Sequence, residues 1–265
     1  MHLIKSHAYG NDFLLVGAND LPPGADWPGI ARRVCDRHRG LGADGLLVFT
    51  LADASASRAS MRLFNADGGL AEISGNGLRC LAAWMVHAGA GPRLQVDTDA
   101  GVKRLELMGR QGCRYTFQAA MGHPEHVRHE RLALGDVEHD VVTLRVGNPQ
   151  CVVLGAATEE RLRTVAASLA VHPHFPEGTN VELASVDGPD TVRILIWERG
   201  VGPTEASGTG ACAAAVAAIS YGGAARDVQV VSPGGTQRVE WRADGLYLTG
   251  WAEIVADARW LQDPS

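Results

Sequence analysis

The chain has 265 residues, 46% of them hydrophobic and 20% charged, enough for one large or two medium globular domains and unlike a disordered segment. Its formal net charge of -6, from 24 basic against 30 acidic residues, offers no basic face to a nucleic acid, and no apolar run approaches the roughly 20 residues that span a bilayer. Five cysteines (Cys35, Cys80, Cys113, Cys151 and Cys212), none in a C-x-x-C pair, argue against a disulfide framework or a cysteine zinc site. The opening MHLIKSHAYGND lacks the apolar stretch of a signal peptide, so a reducing, cytoplasmic location is expected.

In chain order, a strand is predicted over Phe13–Val16 and a helix over Trp27–His38, starting near Pro28. Strands follow over Leu46–Phe49 and Met61–Phe64, then an alanine-rich helix after Gly77. Ala119–His129 (AAMGHPEHVRH) is a polar joint bearing Gly and Pro, and it is the expected domain boundary. Beyond it come strands over Val141–Val146 and Cys151–Leu154, a helix over Glu159–Leu169, and a strand over Val192–Trp197. A second alanine-rich helix follows Gly210, with strands over Val228–Val231 and Leu246–Leu248. Both alanine-rich helices are apolar nearly all round, as helices buried on most sides are.

The chain is written twice. Met61–Trp84 reads MRLFNADGGLAEISGNGLRCLAAW and Ile194–Ala217 reads ILIWERGVGPTEASGTGACAAAVA. At an offset of 133, Phe64 meets Trp197, Asn65 meets Glu198, Ser74 meets Ser207, Gly75 meets Gly208 and Gly77 meets Gly210. Gly10-Asn11 is echoed by Gly147-Asn148, and the strand start at Gly42–Phe49 by Gly178–Leu183. Two similar half-domains facing each other across a cleft are expected, residues 1–119 and 120–251, with a tail of about 252–265 packing back on the first.

Each Ser-Gly-x-Gly stands at a helix start. Glycines there let a ligand approach the backbone, and the free N–H groups of the first turn, with the helix dipole, favour an anion. Serine is also among the preferred N-caps, which alone would explain one such motif. Two at matched positions favour a shared anion site, a carboxylate held by both helix ends with its neighbouring atom between Ser74 and Ser207. Gly208-Thr-Gly210-Ala-Cys-Ala213 matches G-x-G-x-x-A, the dinucleotide fingerprint, but about eight residues separate it from the strand ending near Glu198. Asp227 also lies before its strand and not after it, so no dinucleotide is expected.

Eight blocks then carry a resemblance over nearly the whole length. They are His7–Phe13, Gly42–Gly45, Phe64–Gly68, Ala71–Cys80, Gly147–Pro149, Gly178–Glu182, Trp197–Gly200 and Gly208–Ala213. In these the chain resembles the diaminopimelate epimerases. The resemblance implies an α/β (α+β) fold of two pseudo-symmetric half-domains, each a curled β-sheet around a central helix. It implies an isomerase of the lysine and peptidoglycan precursor pathway that needs no cofactor and no metal. In that family one cysteine takes the Cα proton and another supplies a proton to the opposite face, converting LL- to meso-diaminopimelate. The residues matching Asn65, Asn180 and Arg199 bind the distal carboxylate, and the one matching Glu198 binds the distal amino group. Asn11 and Asn148 match residues near the reacting centre. Gly75, Asn76, Gly208 and Thr209 lie in the turns that hold the reacting carboxylate.

The family's two catalytic cysteines fall on Ser74 and Ser207. A thiol titrates near 8.5 and is readily lowered at a helix N-terminus, whereas a serine hydroxyl needs a neighbouring base. Cys80 and Cys212 lie six and five residues further on, roughly 7–9 Å along a helix, and read as buried apolar residues. Gln150 stands where the family usually has histidine, and Leu70 and Pro203 where acids are common. Because these departures cluster around one site, the chain reads as a natural divergent member.

The first expectation is therefore an amino-acid isomerase with Ser74 and Ser207 in the acid/base positions. A second is a same-fold isomerase or dehydratase of another small amino or hydroxy acid, with Glu198 or Glu72 carrying protons. A third is an amino-acid-binding homologue without catalysis. The expected partners are a small amino-acid substrate and a second copy in a homodimer, with no nucleic acid and no membrane. His123, His126 and His129 would share a helical face but lack a placed carboxylate, and His172-Pro-His174 reads as loop, so no metal is expected.

Overall fold

The computed structural model describes residues 1–52, 57–71, 74–99 and 101–261. The fold is α+β, and the chain divides into two compact units, residues 1–119 with 250–265 and residues 120–249.

In the first unit β1 (His2–Ala8) pairs antiparallel with β2 (Asn11–Gly17) through a two-residue turn, Tyr9-Gly10. Both turn residues have positive φ, 56° and 89°, the backbone of the turn whose twist suits a hairpin. Next, β2 runs parallel to β3 (Gly45–Leu51), which pairs antiparallel with β4 (Arg58–Asn65). β4 turns into the short β5 (Leu70–Ala71) and also runs parallel to β6 (Arg93–Thr98). β6, β7 (Gly101–Gln111) and β8 (Arg114–Gly122) form an antiparallel meander. α1 (Trp27–Val34) packs on β3 and β4, and α2 (Gly75–His87) on β1 and β2.

The second unit repeats this order of pairings. After β9 (Glu125–Leu134), β10 (Val137–Val146) pairs antiparallel with β11 (Asn148–Leu154), which runs parallel to β12 (Asn180–Gly188). β12 pairs antiparallel with β13 (Thr191–Glu198), and β13 pairs with the short β14 (Gly202–Thr204) and runs parallel to β15 (Asp227–Ser232). β15, β16 (Gly235–Arg242) and β17 (Gly245–Arg259) complete the meander. A helical stretch, α3 (residues 159–170), has a π-helical middle at Leu162–Ala166. The second central helix, α4 (Gly208–Tyr221), packs on β10–β13, β15 and β16. All of its residues from Gly208 to Ala218 are buried, and α2 is buried from Gly75 to Ala83. Alanine supplies six of the 14 residues of α4, because small side chains let strands close in around it. The end of β17 lies in the first unit, where it pairs with β1 from His2↔Arg259 to His7↔Glu253.

Every predicted strand lies inside an observed one. Three expectations need correction. The first helix stops at Val34, because the Asp36 side chain accepts from the N–H groups of His38 and Arg39 at 2.8 and 2.7 Å and turns the chain. The joint at 119–129 is mostly strand, with only His123-Pro124 between β8 and β9. The three histidines therefore share no helical face: His123 lies between β8 and β9, and His126 and His129 lie on β9. β1, β5–β9, β14 and β16 were not predicted; of these β7 and β9 each bury a single residue, Leu105 and Leu132, which leaves no buried alternation to read.

Candidate active site

Both serines of the repeat cap a central helix. Ser74 has extended backbone (φ -129°, ψ 121°), and its Oγ accepts from the Gly77 N–H at 3.1 Å. Ser207 does the same (φ -133°, ψ 131°) with the Gly210 N–H, also at 3.1 Å. Each oxygen thus answers one of the unpaired donors of a first helical turn and keeps its own proton for donation. Ser74 is half-buried and Ser207 buried.

In the first unit the structure brings Asn11 and Asn76 together. Asn76 Nδ2 donates to Asn11 Oδ1 at 3.1 Å, and Asn11 Nδ2 donates to Asp44 Oδ2 at 2.7 Å. Asn76 Oδ1 accepts from Nη2 of Arg79, a fully buried guanidinium on α2. Asp44 and Asp12 are in turn held by Arg37, and Lys5 Nζ lies 2.6 Å from Asp12 Oδ2. Burial pushes the Asp12 carboxyl up, but the hydrogen bonds and charges of Arg37 and Lys5 outweigh it and leave it below its ordinary range. Gly75 is the first residue of α2. Asn65 ends β4, exposed, with its backbone closing a turn to Gly68 and Gly69. Leu70 is also exposed, and Glu72 lies outside the described residues.

In the second unit Ser207 Oγ lies 3.4 Å from Thr209 Oγ1, and Gly208 opens α4. Gln150, only 1% exposed, lies behind this turn. Its amide orientation follows from its neighbours: the nitrogen donates to Glu182 Oε1 at 3.0 Å and Oε2 at 3.3 Å, and the oxygen accepts from Thr209 Oγ1 at 3.1 Å. The Asn148 side chain meets the same amide at 2.6 Å. Asn180 is buried, and its Oδ1 accepts from the Arg199 N–H at 2.9 Å. The exposed Arg199 guanidinium donates to the Glu177 carbonyl at 3.0 Å. Glu198 is half-buried at the end of β13.

Glu182 on β12 is the residue that sequence reasoning passed over. It is 0% exposed, and its carboxyl is pushed well above the ordinary range, first by burial and then by the charge of Glu198. The available signal was a lone acid inside the apolar run Val181–Ala184. Cys80 and Cys212 are both fully buried, and burial pushes the Cys80 thiol up to about 12, so it supplies no thiolate near neutral pH. Among the described residues no helix is long and apolar enough to cross a membrane.

The family model described as diaminopimelate epimerase matches residues 3–127 and 142–255. The chain belongs to the diaminopimelate epimerase family. It is 42% identical to the diaminopimelate epimerase of Desulforudis audaxviator, over 99% of this chain and 100% of that one. To the diaminopimelate epimerase of Heliobacterium modesticaldum it is 38% identical, over 96% and 98%. Among solved structures it is similar to a probable proline racemase from Agrobacterium radiobacter K84, with a TM-score of 0.73 at 17% identity, covering 99% and 93% of the two chains. A hydroxyproline epimerase from Agrobacterium vitis, solved with bound trans-4-hydroxy-L-proline, gives 0.72 at 16%, covering 97% and 91%. As a family member the chain is an isomerase of the amino-acid racemase and epimerase type.

Proposed function

We propose that this protein inverts the α-carbon of diaminopimelate, LL to meso, without a cofactor, using Ser74 and Ser207 as its acid/base pair. The observation that carries the reading is the matched pair of serine caps. Each Oγ is fixed by one helix N–H and keeps a proton to give. In the forward step one serine would lose its hydroxyl proton to a neighbouring base as its oxygen takes the Cα proton, while the C–H electron pair spreads into the substrate carboxylate. The other serine then gives its proton to the opposite face. The first-turn N–H groups at Gly75, Asn76, Gly208 and Thr209 would stabilise the negative charge that develops on that carboxylate.

Asn11 and Asn148 would line the reacting centre, while Asn65, Asn180 and Arg199 would take the distal carboxylate and Glu198 the distal amino group. A guanidinium can grip a carboxylate through two parallel hydrogen bonds, which suits Arg199 to that task. The names of the relatives support the substrate. Five free cysteines, four of them buried, support a reducing cytosol. A homodimer belongs to the same reading.

The test is solvent exchange. Incubated in deuterium oxide with LL- or meso-diaminopimelate, the protein should place deuterium at Cα. Absence of exchange with both isomers at high protein concentration would overturn the reading. Gln150, Leu70 and Pro203, where this chain departs from the family, favour one alternative, inversion of a different small amino acid. A screen of amino and hydroxy acids by the same exchange would reveal it.

A further inference from the structure

We infer that Glu182 is the proton partner of Ser207, exchanging a proton with its hydroxyl across the space that Gly210 leaves open. This rests on the acid/base role proposed for Ser207. A Cβ on Gly210 would stand 2.5 Å from Glu182 Oε1 and 3.1 Å from Ser207 Oγ. The two oxygens make no direct hydrogen bond but are no further apart than those two distances laid end to end, a span one water can bridge, and hydrogen in place of a side chain keeps the gap clear. Gln150 holds the carboxyl from the other side and touches the Thr209 hydroxyl, which neighbours Ser207.

The first unit supplies the contrast. A Cβ on Gly77, the counterpart of Gly210, would meet Leu47 Cδ1 and Phe13 Cε1, each at 3.6 Å. The strand registers make these the matching positions. Leu47 is two residues past Gly45, the partner of Phe13, and Glu182 is two past Asn180, the partner of Gln150. The repeat thus places two apolar side chains behind Ser74 and two polar ones behind Ser207. Leucine evidently packs at this position of the fold, so a buried carboxyl is not needed for packing, and burying one is costly.

A serine needs what this carboxyl supplies, because its hydroxyl does not ionise unaided near neutral pH. When Ser207 protonates the substrate carbanion, its O–H bond breaks and the new C–H bond forms. The carboxyl proton then moves to Oγ through one bridging water and Glu182 is left as carboxylate. In reverse, Ser207 takes the Cα proton and passes its own hydroxyl proton to the carboxylate. No atom changes oxidation state. The ionisable groups around Glu182 are Glu198 on β13, whose charge favours its neutral form, and Cys151 on β11, whose thiol is pushed up first by burial and then by the charges of Glu182 and Glu130. Ser207 on this side therefore starts as the acid.

The first measurement is the infrared spectrum of the ligand-free protein near neutral pH. A protonated-carboxyl C=O band should be present, absent in Glu182→Gln, shifted in Ser207→Ala and unmoved in Ser74→Ala. A band insensitive to Ser207→Ala, or no band lost in Glu182→Gln, would overturn the inference whatever the substrate is. The second is exchange at Cα of diaminopimelate. Glu182→Gln should lower kcat about a hundredfold with little change in KM. Adding Ser207→Cys to Glu182→Gln should recover at least about tenfold, because a thiol carries its own acidity. A purely structural Glu182 would show no such recovery. If the unaltered protein exchanges nothing, the proposed substrate falls, while the infrared comparison still decides the proton partner.

Discussion

Asn76 Nδ2 donates to Asn11 Oδ1 at 3.1 Å, and this bond is the middle link of a chain from a buried cation to a half-exposed anion. Arg79 donates to Asn76, Asn76 to Asn11 and Asn11 to Asp44, whose other oxygen accepts from Arg37 at 2.7 Å. Every donor points the same way, so each amide is fixed in one orientation and neither can turn without breaking two bonds. Asn76→Ala removes the acceptor facing a buried guanidinium and frees Asn11. It should cost about 1–3 kcal/mol of stability, measured by urea unfolding, and Asn11→Ala, at the more exposed end, should cost less. Equal stability of Asn76→Ala and the parent would show that the chain carries no weight.

The two glycines three residues past the serines should answer differently to alanine. At Gly210 the new methyl would stand 2.5 Å from Glu182 Oε1, so a buried strand side chain must shift. Gly210→Ala should therefore destabilise by about 1–3 kcal/mol. At Gly77 the nearest atom is Ser74 Cβ at 3.4 Å, ordinary contact, and alanine is the better helix former. Gly77→Ala should be neutral or stabilising by up to about 1 kcal/mol. Thermal unfolding of the two variants side by side checks the difference in sign.

Restoring sulfur should restore acidity. Ser74→Cys and Ser207→Cys are small steric changes, and the N–H groups that now bind each Oγ should lower the new thiols' pKa. Together they should raise LL-to-meso conversion of diaminopimelate, and either alone should do much less, because an acid and a base on one substrate act as a unit. A double variant no faster than the parent would mean that the pocket presents some other substrate.

Glu182 also gives the protein a pH signature. Its carboxyl keeps its proton in the native state above the ordinary carboxylate value of about 4.3, where the unfolded chain has lost it. The native state then binds the extra proton, so its stability is fully present below that value and falls as pH rises toward the raised native value. The slope approaches about 1.4 kcal/mol per pH unit. Asp12, held low, acts oppositely: its contribution is present above its unfolded value and lost as pH falls through its native one. Glu182→Gln should abolish the loss on the alkaline side and leave the acid limb intact. Urea midpoints across a pH series measure this, and parallel curves for parent and variant would refute it.

The internal repeat, the paired Ser-Gly-x-Gly helix starts and the central strands were legible because each is local. Apolar periodicity, N-cap chemistry and glycine placement act over a few residues, and matched blocks at a fixed offset need no coordinates. β7 and β9 were not legible, since their pairing partners and not their own patterns make them strands. Neither was the difference between the serines, which in sequence stand in matching frames. What lies behind each is set by strands 27 residues upstream of Ser74 and 25 upstream of Ser207, and only the sheet register brings Leu47 under one helix start and Glu182 under the other. Sequence determined where the two hydroxyls stand in their helices. Tertiary packing decided that only one has a buried carboxyl behind it, because burial and proximity across strands belong to the folded chain alone.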